Sequence, residues 1–353
     1  MTRLSKIQTA LAENDYESIL VTSSYNLKYV SKFTGTSGLA FITQDQGYFI
    51  TDSRYTQQAQ EEASDYTIID HKGKIYETVA ELAIHEKVDY IGIEEDHITI
   101  SQWDELSDVT DCDLINSSGL VETLREVKED GEVELIQAAI KITEQAFRYI
   151  LNYIRPGMTE RQVANELDFY MRGKGASGLS FDTIVASGYR SAMPHGVASE
   201  KIIENNELIT IDFGCYYKGY VSDMTRTFAI GQVDDELKKI YEIVKEAHLL
   251  VKEAAGPDIT GAELDAVARD YISEKGYGPQ FGHTTGHGIG LEIHENPSVS
   301  QRNDEFFVSK NVITNEPGIY LTGLGGVRIE NDLLITESGC KDLMSEPIEF
   351  IEL

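Results

Sequence analysis

Four carboxylates stand in apolar stretches where a negative charge needs a partner. Asp212 lies in ITIDFG, Asp223 in YVSDMTRT, Glu316 in VITNEPGIY and Glu330 in GVRIEND. Burying such a group costs free energy unless cations or hydrogen bonds compensate it. The first two fall in one predicted hairpin over 207–231. There Ile209, Ile211 and Phe213 alternate with polar residues, and 221–230 reads as the returning strand. With the tip at Tyr217 and Lys218, Asp212 faces Asp223, their Cβ atoms roughly 4.5–5.5 Å apart. The other two fall in a second predicted hairpin over 312–336, whose turn centres on Gly323 and sets Glu316 opposite Glu330. Arg328 lies two residues before Glu330, on the same face of the strand. Opposed like charges destabilise a ladder, so each pair predicts something positive between its members.

The nitrogen donor that completes such a set lies in FGHTTGHGIGLEIHEN, 281–296. Its glycines spell G-x-G-x-G rather than the G-x-G-x-x-G of a dinucleotide loop, and no helical period follows. His283 and His287 have the i, i+4 spacing of helical zinc ligands, but the glycines between 282 and 290 oppose a helix. The stretch predicts a glycine-rich turn feeding a strand, in which Ile289, Leu291 and Ile293 alternate with Gly290, Glu292 and His294. His287 is the candidate ligand, since its flanking glycines permit close approach of backbone. Two Asp, two Glu and one His suit two divalent ions such as Mn²⁺, with Co²⁺ and Zn²⁺ as alternatives. Two ions roughly 3.5–4 Å apart can hold a bridging hydroxide for hydrolysis.

The elements that must position these groups fall into two domains. In the first third, SILVTS, YTIID, VDYIGIEE and the two arms of GLAFITQDQGYFITD read as strands; SRYTQQAQEEA and ISQWDELSDV read as helices. This predicts a small α/β domain over 1–127, with Trp103 in its core. A charged junction, Arg125 to Glu134, leads into a second domain over 128–353. There Leu135, Ala138, Ala139, Ile142, Ala146 and Ile150 recur at helical spacing up to a stop at Arg155-Pro156-Gly157. A second helix starts after an N-capping Thr159. Two more occupy DDELKKIYEIVKEAHLLVKEAA and GAELDAVARDYISEKG. Helices interleaved with strand-rich, glycine-rich stretches predict an α+β fold, its helices packed on antiparallel sheet. The order helix, helix, strands occurs twice, which hints at a duplicated unit.

The 353 residues carry 60 acidic and 30 basic side chains, a net charge of −30. That field repels nucleic acid and anionic lipid, so neither is an expected partner. The 3 cysteines lie far apart and fit a reducing compartment. The N-terminus lacks the apolar core of a signal peptide. No apolar run approaches the roughly 18 residues of a membrane span. A soluble, cytoplasmic protein is expected.

Taken together, IDFG…SDMTRT, GHGIGLEIHE, NEPGIY and GVRIEND resemble, in order, the motifs of the pita-bread metallopeptidases. That family includes methionine aminopeptidase, aminopeptidase P and prolidase. The likeness spans 128–353, and the presence of the N-terminal domain resembles the proline-specific branch. The resemblance implies a C-terminal pita-bread (creatinase/aminopeptidase) domain behind a creatinase-like N-terminal domain that serves substrate access and oligomer contacts. It also implies a homodimer. It implies the ligand set Asp212, Asp223, His287, Glu316 and Glu330. His195, in SAMPHG, resembles the family's substrate-binding histidine, and His294 the one that steadies the tetrahedral intermediate. His283 matches a further histidine of the site, Arg328 an arginine supporting substrate and ligands. Phe181, in SFDTIVASG, is expected to wall a proline pocket.

The implied reaction is hydrolysis of an Xaa-Pro bond in peptides with proline at the second position. A hydroxide bridging the two ions attacks the carbonyl carbon, and Glu316 passes its proton toward the leaving prolyl nitrogen. His294, His195 and a metal stabilise the oxyanion. Many prolidases carry an arginine shortly after the H-E pair, apt for gripping a free carboxylate. Here HENPSV puts Ser298 at that place. The expectation is therefore an Xaa-Pro aminopeptidase, ahead of an Xaa-Pro dipeptidase. A non-catalytic binding protein or a creatinase-like hydrolase would lack part of the ligand set, and this chain has all of it.

Overall fold

Short apolar runs of the first third become strands of one mixed sheet in the computed structural model, which describes every residue from Met1 to Leu353. In spatial order these are Thr67–Asp70, Gly47–Thr51, Leu39–Thr43, Ser18–Val21, Tyr90–Ile93 and Asp113–Asn116. Leu39–Thr43 runs antiparallel to both neighbours, and the other pairs are parallel. The helix Ile75–Glu86 buries Tyr76, Val79 and Ala83 against Leu20, Phe41 and Ile91 of the sheet. Trp103 packs at the margin of this core and is half-buried, not central as expected. These elements make one compact unit, Met1–Arg125; Glu126–Leu353 makes the other.

The second unit repeats one plan twice. Helices Asp130–Tyr153 and Glu160–Gly173 precede the strands Ile184–Ser187, Glu207–Phe213 and Met224–Ile230. Helices Asp235–Ala254 and Gly261–Glu274 precede strands from Gly286–Gly288 to Gly339–Asp342. The second helix of each half opens with a capping box, at Thr159 and at Thr260. Each capping threonine also forms an isolated antiparallel bridge to later chain, Thr159 with Ile202 and Thr260 with Phe306. All strand pairs of this unit are antiparallel. The second helix pair buries Ile240, Val244, Leu264 and Ala268 against Ile313, Ile319, Val327 and Leu333. No helix is long and apolar enough to cross a membrane.

Two local expectations are corrected. The hairpin tip is Lys218-Gly219, one residue later than expected, and Asp212 pairs with Thr225 instead of Asp223. Lys218 has φ 49° and Gly219 φ 92°. Two positive values are what a type I′ turn requires, and glycine supplies the second without strain. The strand expected over 289–294 is absent. The chain bends there between the strands Gly286–Gly288 and Glu295–Val299. An extended chain would hold His287 and His294 roughly 23 Å apart at about 3.3 Å per residue. The bend brings their ring centroids to 4.3 Å.

Candidate active site and metal centre

The second hairpin keeps its expected register. Gly318–Leu321 pairs with Gly325–Arg328, and Val312–Asn315 pairs with Asn331–Thr336 in continuation. Glu316 and Glu330 sit at the junction of these two ladders. In the first hairpin, Asp223 lies two residues before Thr225, the partner of Asp212, so both carboxylates still share one face. Glycines let the strands close around them. A Cβ at Gly286 would overlap the carbonyl oxygen of Thr314, and one at Gly288 that of Asn296. His287, between them, is thereby pressed against the acidic strands.

The ten candidate ligands and substrate-site residues line one cavity of about 420 Å³: Phe181, His195, Asp212, Asp223, His283, His287, His294, Glu316, Arg328 and Glu330. Asp182, Ile184, Pro194, Val197, Thr284 and Ile293 also line it and were not anticipated. His287 Nδ1 donates to the Gly288 carbonyl at 3.1 Å, which leaves Nε2 as a lone-pair donor. Nε2 lies 3.7 Å from Asp223 Oδ2 and 3.4 Å from Glu316 Oε1. Donor atoms of Asp223, His287 and Glu330 all fall within 4.8 Å of one another. Thr225 Oγ1 donates to Glu330 at 2.6 Å, and Thr314 Oγ1 to Glu316 at 3.2 Å.

The electrostatics call for cations. Burial, and next the charge of Glu330, pushes Asp223 well above the usual carboxylate range. Burial, then Glu316, does the same to Glu330. Burial drives Glu316 up to about 8, even against the pull of Arg328. Asp212 Oδ1 and Asp223 Oδ1 are buried without any hydrogen-bond partner. Orphaned carboxylate oxygens beside a free imidazole nitrogen fit divalent metal ions, and the oxygen-rich set suits hard ones.

A hydrogen-bonded chain backs the site. Arg328 donates to Asp212 at 2.5 Å, to the Pro194 carbonyl at 3.1 Å and to the Tyr320 hydroxyl at 2.8 Å. Tyr320 in turn reaches His283 Nε2 at 2.8 Å, while His283 Nδ1 donates to the Thr284 carbonyl at 2.8 Å. Both ring nitrogens of His283 are therefore occupied, and burial lowers its pKa to about 4. Tyr320 was missed in the sequence. Its signal was available: it pairs with Gly326, two residues from Arg328 on the same face. His294 and His195 are exposed to the cavity, and burial followed by the charge of His195 lowers the pKa of His294.

A twice-repeated helix–helix–strand domain that focuses two carboxylate pairs and a histidine on one cavity defines a metal-dependent hydrolase. Residues 134–337 match metallopeptidase family M24, and residues 3–127 match the creatinase/prolidase N-terminal domain. The chain belongs to metallopeptidase family M24, with the pita-bread fold behind a creatinase-type N-terminal domain. Its structure is similar to that of an Xaa-Pro dipeptidase from Bacillus anthracis, with a TM-score of 0.98 and 46% identity over 99% of each chain. It is similar to an X-Pro aminopeptidase from Thermotoga maritima, with a TM-score of 0.92 and 40% identity over 98% of this chain and 100% of that one. In sequence it is 38% identical to an Xaa-Pro dipeptidase from Pyrococcus horikoshii over 99% of this chain and 98% of the relative.

Proposed function

We propose that the protein hydrolyses the bond before proline, with Xaa-Pro dipeptides as its leading substrates. The observation that carries this reading is the convergence of Asp212, Asp223, His287, Glu316 and Glu330 on a cavity that also holds His195, His294 and Phe181. Divalent cations bound by the five ligands would supply Lewis-acid activation of water, with Mn²⁺ the first ion to test. On this reading Glu316 accepts a proton and returns it to the prolyl nitrogen as that nitrogen leaves. His195 and His294, which line the cavity, then donate hydrogen bonds to the carbonyl oxygen as it gains charge. Phe181, with Ile293 and Val197, gives proline an apolar wall.

The relatives support dipeptides ahead of longer peptides, the reverse of the order drawn from Ser298. Ser298 does not line the cavity; its Oγ meets Ser300 Oγ at 3.0 Å. It is therefore a weak guide to how a substrate carboxylate is held. The Thermotoga maritima X-Pro aminopeptidase keeps removal of one residue from longer peptides as the second reading. Comparing cleavage of Ala-Pro with Ala-Pro-Ala and a longer X-Pro peptide decides between them. Faster turnover of Ala-Pro supports the dipeptidase. Cleavage confined to the longer peptides supports the aminopeptidase.

A further inference from the structure

The helix Gly261–Glu274 lies outside the cavity, yet it holds the loop that supplies the cavity's histidines. Asp265 is fully buried on this helix, and Arg269 lies one turn later. The two form a forked pair, Nε to Oδ2 at 2.7 Å and Nη2 to Oδ1 at 2.8 Å. An i, i+4 pair at a surface contributes little to stability. This one spends its remaining hydrogen bonds off the helix. Arg269 donates to the Phe281 carbonyl at 3.0 Å and to the His283 carbonyl at 2.8 Å. Its guanidinium also stacks over the Phe281 ring at 4.5 Å. Asp265 Oδ1 accepts from the Thr285 backbone N–H at 3.0 Å and from its hydroxyl at 2.9 Å. Both ends of the 281–285 loop are thus tied to one charge pair.

Each tied residue leads directly to the site. His283 carries the Tyr320–Arg328–Asp212 chain. The Thr285 carbonyl accepts the backbone N–H of Glu316 at 2.8 Å. His287 follows two residues later. Within the loop, Gly282 has nothing within reach of an added Cβ, so no neighbour packs against that side of its backbone. The planar fork of arginine meets a carboxylate and two carbonyls at once, which the single ammonium of lysine does not reproduce.

We propose that Asp265 and Arg269 are positioning residues for the reaction: their ion pair clamps the loop so that His283, His287 and Glu316 stand in register. This rests on the hydrolytic reading above. The test uses full-length Arg269→Lys and Asp265→Asn beside the wild type. Three quantities are read: hydrogen exchange over 281–287 in metal-free protein, metal bound per chain, and kcat with KM on Ala-Pro. The expected result is faster exchange of this loop, unchanged metal content at saturating Mn²⁺, and kcat lowered roughly 10- to 100-fold with KM little changed. Loop exchange at the wild-type rate, kcat within about twofold of wild type, or a kcat loss that extra metal restores would each overturn the proposal. Should either variant fail to fold, Thr285→Val removes only the hydroxyl bond to Asp265. It must then accelerate exchange at 285–287, and no acceleration overturns the clamp. If the wild type cleaves no X-Pro peptide, the hydrolytic reading fails, while the exchange measurement still decides the clamp.

Discussion

At the scale of residues, the site is negative charge held in an apolar setting. The four acids were readable because each interrupts an apolar strand, and His287 because glycines surround it. Donor atoms of Asp223, His287 and Glu330 then converge, and Oδ1 of Asp212 and of Asp223 has no hydrogen-bond partner. Asp223→Ala and Glu330→Ala are each expected to abolish metal-dependent turnover, because each deletes one candidate ligand. Near-normal turnover with metal restored, beside a metal count per chain, would refute that assignment. His294→Ala is expected to lose turnover roughly 100-fold or more with metal content intact, the loss seen when one oxyanion donor is removed. Falling metal content would instead make His294 a ligand. What the sequence hid were partners distant in the chain. Tyr320 and the Asp265–Arg269 pair are ordinary residues until the fold brings carbonyls and hydroxyls to them.

At the scale of elements, helices were easier to read than turns. The capping threonine at 159 and the apolar spacing of 130–153 announced themselves through local chemistry. The first hairpin slipped because Lys218 accepts a positive φ, which allows Gly219 to take the second turn position. The 289–294 bend was hidden because alternating apolar residues there pack into a turn instead of a ladder. Gly286→Ala probes how closely the strands must approach: its Cβ meets backbone at Thr314, which has little room to yield. We expect a loss of about 1–3 kcal/mol in urea unfolding together with weaker metal binding. Unchanged stability and metal affinity would contradict the close-approach argument. A pH effect belongs to the helix Asp235–Ala254. Its His248 is buried, contacts the Asn315 carbonyl through Nδ1 at 3.1 Å, and has its pKa lowered to about 4 chiefly by burial. The unfolded chain takes up this proton below about pH 6.5, while the folded chain resists until about 4. Stability is therefore full above the upper value and falls as pH drops through the window, by about 3 kcal/mol in all. Urea unfolding at neutral and mildly acidic pH should show a smaller drop for His248→Gln than for the wild type. Equal drops would remove His248 from the account.

At the scale of the whole molecule, two units and a repeated helix–helix–strand plan were visible in the order of elements. The repeat has a functional consequence: the first half supplies Asp212 and Asp223, the second Glu316 and Glu330. A centre assembled from two halves, with Asp223 and Glu330 raised by burial and then by neighbouring carboxylates, should depend on cations for charge balance. Substrate length was not legible, because position 298 lies off the cavity it was read to govern. The most direct measurement strips the protein with EDTA and then follows Ala-Pro hydrolysis and bound metal together as Mn²⁺ is returned. The account predicts no hydrolysis in the stripped protein, and activity that rises as up to about two ions bind per chain. Full turnover without metal, or a metal-loaded chain that cleaves no Xaa-Pro peptide, would contradict it.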